Sequence, residues 1–443
     1  MKAVSKVLLS GVATLAIAGI AFMAWSYRAP IEPIDAVPSR FDQATVARGA
    51  TLAAMGNCIE CHTANRDLPY AGGFALPTPF GIIYGSNITP DAETGIGRWS
   101  EAAFSRAMHE GVRRDGSYLY PAFPYTHFTK VTDEDLAALY AFLMTRPAVR
   151  NPVPAPEFPF PLNIRQTIAG WNLLFFDEGR FRPQEAAGPV WNRGAYIAEG
   201  LGHCAACHSP RNALGGEVRR RLYEGGEAEG WAAPALRGKS ASAVGWNQDE
   251  MVKYLRGDFT SAHGVAAGPM RGVAAAMRRL PESDVAALAT YVNSMADPVP
   301  DSERQKAMKR SQSVAFTVST AQDMRLQGFA RDGAAVFAAA CATCHVSGPQ
   351  QPFHKPAPLD LASAITGPDA RNLLNVVLRG VQRGDGENAP SMPGFDAVLD
   401  EAQLEALALY VRGHFAPEKA PWTNVSGSVK ALRKDVAHAP AHD

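Results

Sequence analysis

Three stretches of the chain share one spacing of apolar side chains. In 136–143, 285–292 and 404–411 apolar residues fall at i, i+3, i+6 and i+7, which places them on one helical face. Thr132 and Asp400 stand four residues before two of these stretches, where an N-cap belongs. The pattern predicts three similar amphipathic helices, spread along the chain.

A second repeat lies upstream of each of these helices. The stretches 47–50, 192–195 and 331–334 each place a glycine before an alanine at the entrance of a predicted short helix. Between the two repeats a middle helix is predicted, beginning near Ser100 in the first unit and near Asn247 in the second. The chain is therefore predicted to contain three homologous helical units.

The N-terminus has a different pattern. Lys2 and Lys6 precede an uncharged run from Val7 to Trp25, whose 19 residues are just enough to cross a bilayer as a helix. Basic residues before an apolar run also make a secretory signal. Residues 1–26 are therefore predicted to be a signal peptide or a membrane anchor, and the length of the run favours the anchor. In either case the rest of the chain is exported.

Segments rich in proline or in polar residues separate the units. Residues 147–161 hold six prolines, and an apolar insertion follows at Ile164–Phe176. We expect this insertion to pack on the second unit, with a partner subunit or a membrane surface as the alternative. The predicted boundaries after residue 26 are unit 41–146, linker and insertion 147–184, unit 185–297, linker 298–326, unit 327–415 and C-terminal tail 416–443.

Composition narrows the possible classes of protein. The 443 residues include 43 basic and 43 acidic side chains, so the formal net charge is zero. A nucleic-acid-binding protein would show a basic excess or a basic stripe, and we expect no nucleic-acid partner. Six cysteines are too few for a disulfide-dense scaffold in a chain of this length.

The cysteines carry the clearest chemical signal. All six fall in three Cys-x-x-Cys-His pentads, which is the attachment signature of c-type haem. A redox Cys-x-x-Cys needs no histidine, and a zinc site in one pentad would lack a fourth ligand. A disulfide within each pentad would leave the histidines unexplained. We therefore predict three covalently bound haem c groups, held by Cys58, Cys61, Cys204, Cys207, Cys341 and Cys344, with His62, His208 and His345 as proximal iron ligands.

The helical pattern and the pentads together define a fold class. Three helices around one haem, with the first and the last crossing, form the class I cytochrome c arrangement. We therefore predict an all-α protein of three tandem class I cytochrome c domains, preceded by the N-terminal signal or anchor helix.

The sixth iron ligand should lie in the loop before the last helix of each unit. An electron-transfer haem normally carries Met or His there, and Met raises the potential. Met270 precedes the last helix of the second unit, and Met392 holds the matching place in the third. We predict that both methionines ligate iron.

The first unit departs from this pattern. Phe123 holds the position that corresponds to the ligand methionine of the other two units, and a phenyl ring cannot bind iron. We favour His127, four residues further along the loop, as the ligand of a bis-histidine haem with a lower potential. The alternatives are Met108 or His109 from the middle helix, or a five-coordinate iron.

The chain resembles the triheme cytochrome c subunits of bacterial membrane-bound dehydrogenases from about residue 41 to residue 415. Members of this family serve quinoprotein alcohol dehydrogenase, gluconate and fructose dehydrogenases, and molybdenum hydroxylases that oxidise aldehydes or N-heterocycles. The resemblance rests on the pentads and on the strings Asn87-Ile-Thr-Pro-Asp, Thr94-Gly-Ile-Gly, Asp115-Gly-Ser-Tyr-Leu-Tyr-Pro-Ala, Trp191-Asn-Arg-Gly, Cys207-His-Ser-Pro-Arg-Asn and Gly268-Pro-Met270.

The resemblance implies an electron-transfer subunit on the periplasmic face of the inner membrane. Electrons would come from a separate catalytic subunit, possessing molybdenum, a quinone cofactor or flavin and sometimes accompanied by a small extra subunit. They would leave to ubiquinone or a terminal oxidase. Phe123 and the run Pro-Phe-Pro-Leu-Asn-Ile-Arg at 159–165 favour the molybdenum relatives. Two alternatives stay open: a multihaem peroxidase or oxidase with an open first haem, and a free periplasmic electron shuttle.

Overall fold

The computed structural model describes residues 2–36, 40–239, 242, 244–313, 328–345, 358–382 and 391–438. The chain divides into two compact units. The first unit comprises Met1–Pro183 with Glu199–His203, and the second comprises Gln184–Ala198 with Cys204–Asp443. The first unit thus holds the first cytochrome-like repeat, and the second unit holds the other two.

The described part of the first unit is mainly helical and contains one antiparallel hairpin, β1–β2. Its elements are α1 Lys2–Ser26, α2 Gln43–Met55, α3 Cys58–Cys61, β1 Ala75–Thr78, β2 Gly81–Tyr84, α4 Glu101–Glu110, α5 Tyr125–Phe128, α6 Asp133–Met144 and α7 Thr167–Phe175.

Among its described residues, the second unit contains two further helical repeats and one more hairpin, β3–β4. Its elements in the second repeat are α8 Gly188–Glu199, α9 Ala205–His208, β3 Gly226–Ala228, β4 Trp231–Ala233, α10 Gln248–Leu255, α11 Pro269–Met277, α12 Glu282–Met295 and α13 Asp301–Ser313. Those around the third repeat are α14 Gly328–Ala340, α15 Ala342–His345, α16 Ser363–Thr366, α17 Arg371–Arg379, α18 Glu401–Phe415 and α19 Val425–His438.

The predicted helix starts are confirmed by their caps. The Thr132 side chain accepts a hydrogen bond from the Asp135 backbone at the start of α6, and Ser100 caps α4 in the same way. Asp400 forms a reciprocal capping box with Gln403 at the start of α18. These caps satisfy backbone N–H groups that a helix leaves unpaired in its first turn.

The first and last helices of each repeat cross at a glycine. A Cβ added to Gly49, Gly194 or Gly333 would lie well under 3.0 Å from a backbone oxygen of the last helix. The facing residues are Ala138 for the first repeat, Ala287 for the second and Ala406 for the third. Only a residue without a Cβ permits backbones to approach this closely. The repeated contact confirms the crossing that the sequence pattern predicts.

Residues 416–438 are a structured part of the third repeat, which corrects the prediction of a tail at 416–443. Trp422 packs into the core of this repeat together with Val425, Val429 and Leu432 of α19. The last three fall at i, i+4 and i+7, so they share one helical face. The sequence shows this apolar spacing, but it covers only a short segment whose other residues are mostly polar, and the segment was therefore predicted to be a tail.

The apolar insertion packs on the first repeat, so the prediction that it packs on the second is wrong. Ile168 and Ala169 of α7 are buried in one cluster with Val112, Tyr118 and Tyr120. The Tyr125 hydroxyl donates a hydrogen bond to the Asn172 side chain at 2.5 Å. The short loop from 161 to 166 brings α7 back onto the unit that precedes it.

The predicted linker between the second and third repeats is partly helical. Part of the predicted linker 298–326 is α13, while residues 314–326 lie outside the described residues.

Within the described part of the chain, none of the helices combines the length and apolar character that crossing a membrane requires. The signal or anchor role of residues 1–26 stays a prediction.

Candidate haem sites

Each pentad begins just after the first helix of its repeat and forms a single helical turn. The turns are α3, α9 and α15, and none of the six cysteines forms a disulfide. Burial raises the pKa of Cys58 and of Cys204 to about 12, and the second thiol of each pentad adds to the shift.

The proximal histidines of the first two repeats are oriented by backbone carbonyls. His62 Nδ1 lies 2.6 Å from the Ser86 oxygen, and His208 Nδ1 lies 2.7 Å from the Pro234 oxygen. Burial lowers the pKa of both imidazoles, while the carbonyl raises it. A neutral imidazole that donates from Nδ1 presents Nε2 to a metal, which is how ligating histidines are normally held.

The carbonyl acceptors come from equivalent places in the two repeats. Ser86 follows shortly after the end of β2, and Pro234 directly follows the end of β4. Neither the hairpins nor the two acceptors were predicted from the sequence, because backbone carbonyls leave no signature in side-chain type. The available signal was the glycine at each hairpin turn, since Gly81 and Gly230 both adopt positive φ there.

The third pentad holds its histidine in similar surroundings. His345 Nδ1 is buried and has no hydrogen-bond partner among the described residues. Burial lowers the pKa of this imidazole as well. Residues 346–357, which follow the pentad, lie outside the described residues. A half-buried imidazole beside two thiols on one turn fits covalent haem attachment with axial ligation.

The loop of the second repeat gives Met270 a defined place. Met270 is the second residue of α11, directly after Gly268-Pro269. Gly268 has positive φ and lies against the Trp231 ring of β4, so a Cβ there would clash. His263, the other candidate ligand type in this loop, stacks on Trp246 at 3.5 Å between ring centroids and contacts Glu250 at 3.4 Å. Because Trp246 and Glu250 hold the His263 ring, Met270 is the candidate iron ligand of this loop.

Met392 of the third repeat is held by backbone pairing. Its N–H and carbonyl pair with Val381 at 2.8 and 2.9 Å, and its side chain packs against the core of the repeat. Gly380 has positive φ, and a Cβ there would clash with the Met392 carbonyl. The pairing fixes the backbone from which the thioether projects.

In the first repeat, the histidines of the middle helix and the loop have different surroundings. His109 Nε2 lies 3.0 Å from the Val131 oxygen, and Nδ1 lies 3.3 Å from the Ser105 hydroxyl. Both ring nitrogens are therefore occupied by protein groups. His127 is 8% exposed, and its Nδ1 lies 3.2 Å from the Glu199 oxygen. A carbonyl at Nδ1 repeats the arrangement of the proximal histidines, which supports His127 over His109.

The Phe123 ring packs against Phe128, with ring centroids 5.2 Å apart. Phe123 thus adds to the apolar lining of the loop and supplies no ligand atom. Met108, the other candidate from the middle helix, is 5% exposed and belongs to the buried core.

Repeated helix crossings, thiol pairs and carbonyl-oriented histidines together define a multidomain c-type cytochrome. The cytochrome c family model matches residues 46–147 and 192–296. A model described as cytochrome c oxidase, cbb3-type, subunit III matches residues 328–411. The chain carries covalently bound haem c, and the three matched segments agree with one haem for each pentad.

Curated relatives place the chain more narrowly. It is 32% identical to the fructose dehydrogenase cytochrome subunit of Gluconobacter japonicus over 92% of this chain and 87% of that protein. It is 34% identical to the gluconate 2-dehydrogenase cytochrome c subunit of Pantoea cypripedii over 89% and 90%. The chain belongs to the family of cytochrome c subunits of bacterial dehydrogenases, and it is an electron-transfer subunit.

A further relative differs in length. The chain is 41% identical to one of the subunits of nicotinate dehydrogenase from Pseudomonas putida, over 94% of this chain. The match spans only 34% of that relative, about a third of its length.

Proposed function

We propose that this chain is a triheme electron relay between a separate catalytic dehydrogenase subunit and a respiratory acceptor. The observation that carries the proposal is the threefold repeat of a thiol pair, a half-buried imidazole and a glycine helix crossing in one chain. In such a relay the protein positions each haem and sets its potential through axial ligands and burial. The haem supplies the redox chemistry.

The proposed axial pairs are His62 with His127, His208 with Met270, and His345 with Met392. Cys58, Cys61, Cys204, Cys207, Cys341 and Cys344 would form the thioethers. Methionine ligation raises a haem potential relative to histidine, so the first haem would have the lowest potential of the three.

The catalytic partner we favour is a molybdenum hydroxylase acting on an aldehyde or an N-heterocycle. Support comes from the 41% identity to the nicotinate dehydrogenase relative, against 32 to 34% for the fructose and gluconate dehydrogenase subunits. Quinoprotein and flavoprotein dehydrogenases are the competing partner classes. The proposed acceptor is ubiquinone or a terminal oxidase.

The proposed location is the periplasmic face of the inner membrane, with α1 as the anchor. Ile17 and Ile20 of α1 are 68% and 71% exposed. On α7, Leu173 and Leu174 are 73% and 61% exposed. Apolar side chains exposed on both helices of one unit suit contact with a lipid surface.

Purification of the native protein from membranes tests the proposal. We expect a large dehydrogenase subunit to co-purify, and haem analysis to give three haems per chain. The double variant Cys341→Ala, Cys344→Ala should give two haems in the same complex. Isolation of an active monomer that carries electrons between unrelated proteins would instead support a free shuttle.

A further inference from the structure

The hairpin β3–β4 of the second repeat is bound by a helix of the third repeat. The Asn372 side chain of α17 accepts a hydrogen bond from the Ala232 N–H at 2.9 Å and donates one to the Ala232 carbonyl at 2.8 Å. Asn375, one turn further along α17, donates to the Gly230 carbonyl at 3.1 Å. One side-chain amide therefore pairs with both polar groups of a single strand residue.

These contacts satisfy the open edge of a two-stranded sheet. Ala232 lies opposite Glu227 in the hairpin register, and Asn372 binds its backbone from the third repeat. Strand edges expose N–H and carbonyl groups that need partners when they are covered. The Asn372 amide supplies both partners, as the peptide group of a third strand would.

An ion pair flanks the amide contact. Arg371 binds Glu227 of β3 and also Asp369, to which its Nη2 lies at 2.8 Å. The Glu227 side chain is 60% exposed, so water weakens its share of the binding. The two asparagines therefore hold the hairpin, and the ion pair adds a smaller contribution at the rim.

The same hairpin supports the proximal side of the second haem site. Strand β4 ends at Ala233, and the next residue provides the carbonyl that orients His208. On the paired strand, Gly226 lies opposite Ala233 and against the Cys207 and Ser209 carbonyls, where a Cβ would clash. A shift of β4 would therefore move the Pro234 oxygen relative to the imidazole.

The first repeat holds its hairpin by a different means. The Glu157 N–H donates to the Ile82 carbonyl of β2 at 2.8 Å, and the Tyr84 hydroxyl donates to the Glu157 side chain at 2.6 Å. The partner there is a backbone segment of the same unit, further along the chain. Only the second repeat, within the described residues, borrows its hairpin partner from a later repeat.

We propose that Asn372 and Asn375 are positioning residues of the second haem, which hold β4 so that the Pro234 carbonyl keeps its hydrogen bond to His208. The inference rests on the proposed function, since it concerns a relay of haems with separate potentials. A hydrogen bond from Nδ1–H makes the imidazole a stronger donor to iron and favours the ferric state. The third repeat thereby keeps the potential of the second haem lower than it would be without the asparagine contacts.

The test compares Asn372→Ala with Asn293→Ala in the full-length, haem-loaded protein. Asn293 lies on α12, and its amide makes a long side-chain contact of 3.5 Å with Gln248. Hydrogen exchange should become faster in the peptide that covers 226–238 of the first variant, and stay unchanged in the peptide 75–84. Redox titration should show one haem shifted to higher potential, by up to tenfold in its ferric-to-ferrous ratio or about 59 mV. Asn293→Ala should show neither effect.

A milder variant guards against misfolding. Glu227→Gln removes only the rim ion pair and should shift the same haem in the same direction, by less. Unchanged exchange in 226–238 of Asn372→Ala would overturn the proposal, and so would faster exchange there with all three potentials unmoved. A haem count other than three would contradict the triheme assignment, and it is measured separately from both readouts.

Discussion

Gly194 faces the Ala287 carbonyl so closely that a Cβ on it would lie 2.0 Å from the oxygen, and 2.8 Å from the Tyr291 Cβ. The first and last helices of the repeat can meet only because position 194 lacks a side chain. The same pair of contacts recurs in the other two repeats, where Phe142 and Tyr410 replace Tyr291. The crossing is therefore a condition of the fold and a sensitive place to test it.

Gly194→Ala should destabilise the second repeat by about 1–3 kcal/mol, because the new methyl group overlaps backbone that cannot move freely. Thermal unfolding and haem content measure the effect. Gly413→Ala is the matched control, since α18 leaves nothing within 4 Å of a Cβ at 413. That change should stabilise slightly, by about 0.4–1 kcal/mol. Equal melting temperatures for the two variants would contradict the close contact.

Met270→Ala should convert one low-spin haem to a high-spin haem, because the iron loses its sixth ligand. Electron paramagnetic resonance of the oxidised protein counts the low-spin signals, which should fall from three to two. Met251→Leu, which changes a buried methionine of α10 in the same repeat, should leave all three. Three low-spin signals in Met270→Ala would remove Met270 from the proposed ligand set.

His127→Ala should likewise produce one high-spin haem in the first repeat, and the reduced variant should bind one equivalent of carbon monoxide. His109→Gln is the control, since both His109 nitrogens contact protein groups. Carbon monoxide binding to one haem of the unmodified protein would instead indicate a five-coordinate iron. That outcome would favour the peroxidase or oxidase alternative.

Acid should destabilise the first repeat through His109. Burial, with a contribution from nearby Arg180, lowers the pKa of this imidazole to about 4 from the usual 6.5. The folded state therefore disfavours protonation, so stability is complete above about pH 6.5 and falls between that pH and about 4. The loss is on the order of 3 kcal/mol when the imidazole is fully protonated. Urea unfolding at several pH values should show a smaller decline for His109→Gln.

Trp422→Ala should destabilise the third repeat by about 3–5 kcal/mol, as expected for an aromatic side chain removed from a core. Trp422 is 5% exposed, and its indole N–H donates to the Gly367 carbonyl at 3.0 Å. Lys430→Ala changes an exposed residue of α19 and should have little effect. Unfolding curves that coincide for both variants would mean that the C-terminal segment contributes nothing to the core.

Features that depend on repeated side-chain chemistry are predictable from the sequence. The caps at Thr132 and Asp400 follow from residue type, and the helix crossings are implied by the class I cytochrome c arrangement that the pentads indicate. The structure confirms both. The axial methionines and His127 remain predictions. The packing of α7 on the first repeat was not predicted, because the sequence identifies an apolar helix face but not the surface against which that face packs. The carbonyls of Ser86 and Pro234 were missed, because every residue type carries the same group.

The backbone origin of those two acceptors has a genetic consequence. Replacing Ser86 or Pro234 changes a side chain but leaves the carbonyl that faces the imidazole. The hydrogen bond on this side of each haem is therefore shielded from single-codon substitution at the acceptor itself. Substitutions that alter these haem sites should therefore be found on the side opposite the carbonyl acceptors, at positions such as 123, and in the segments that support the hairpins.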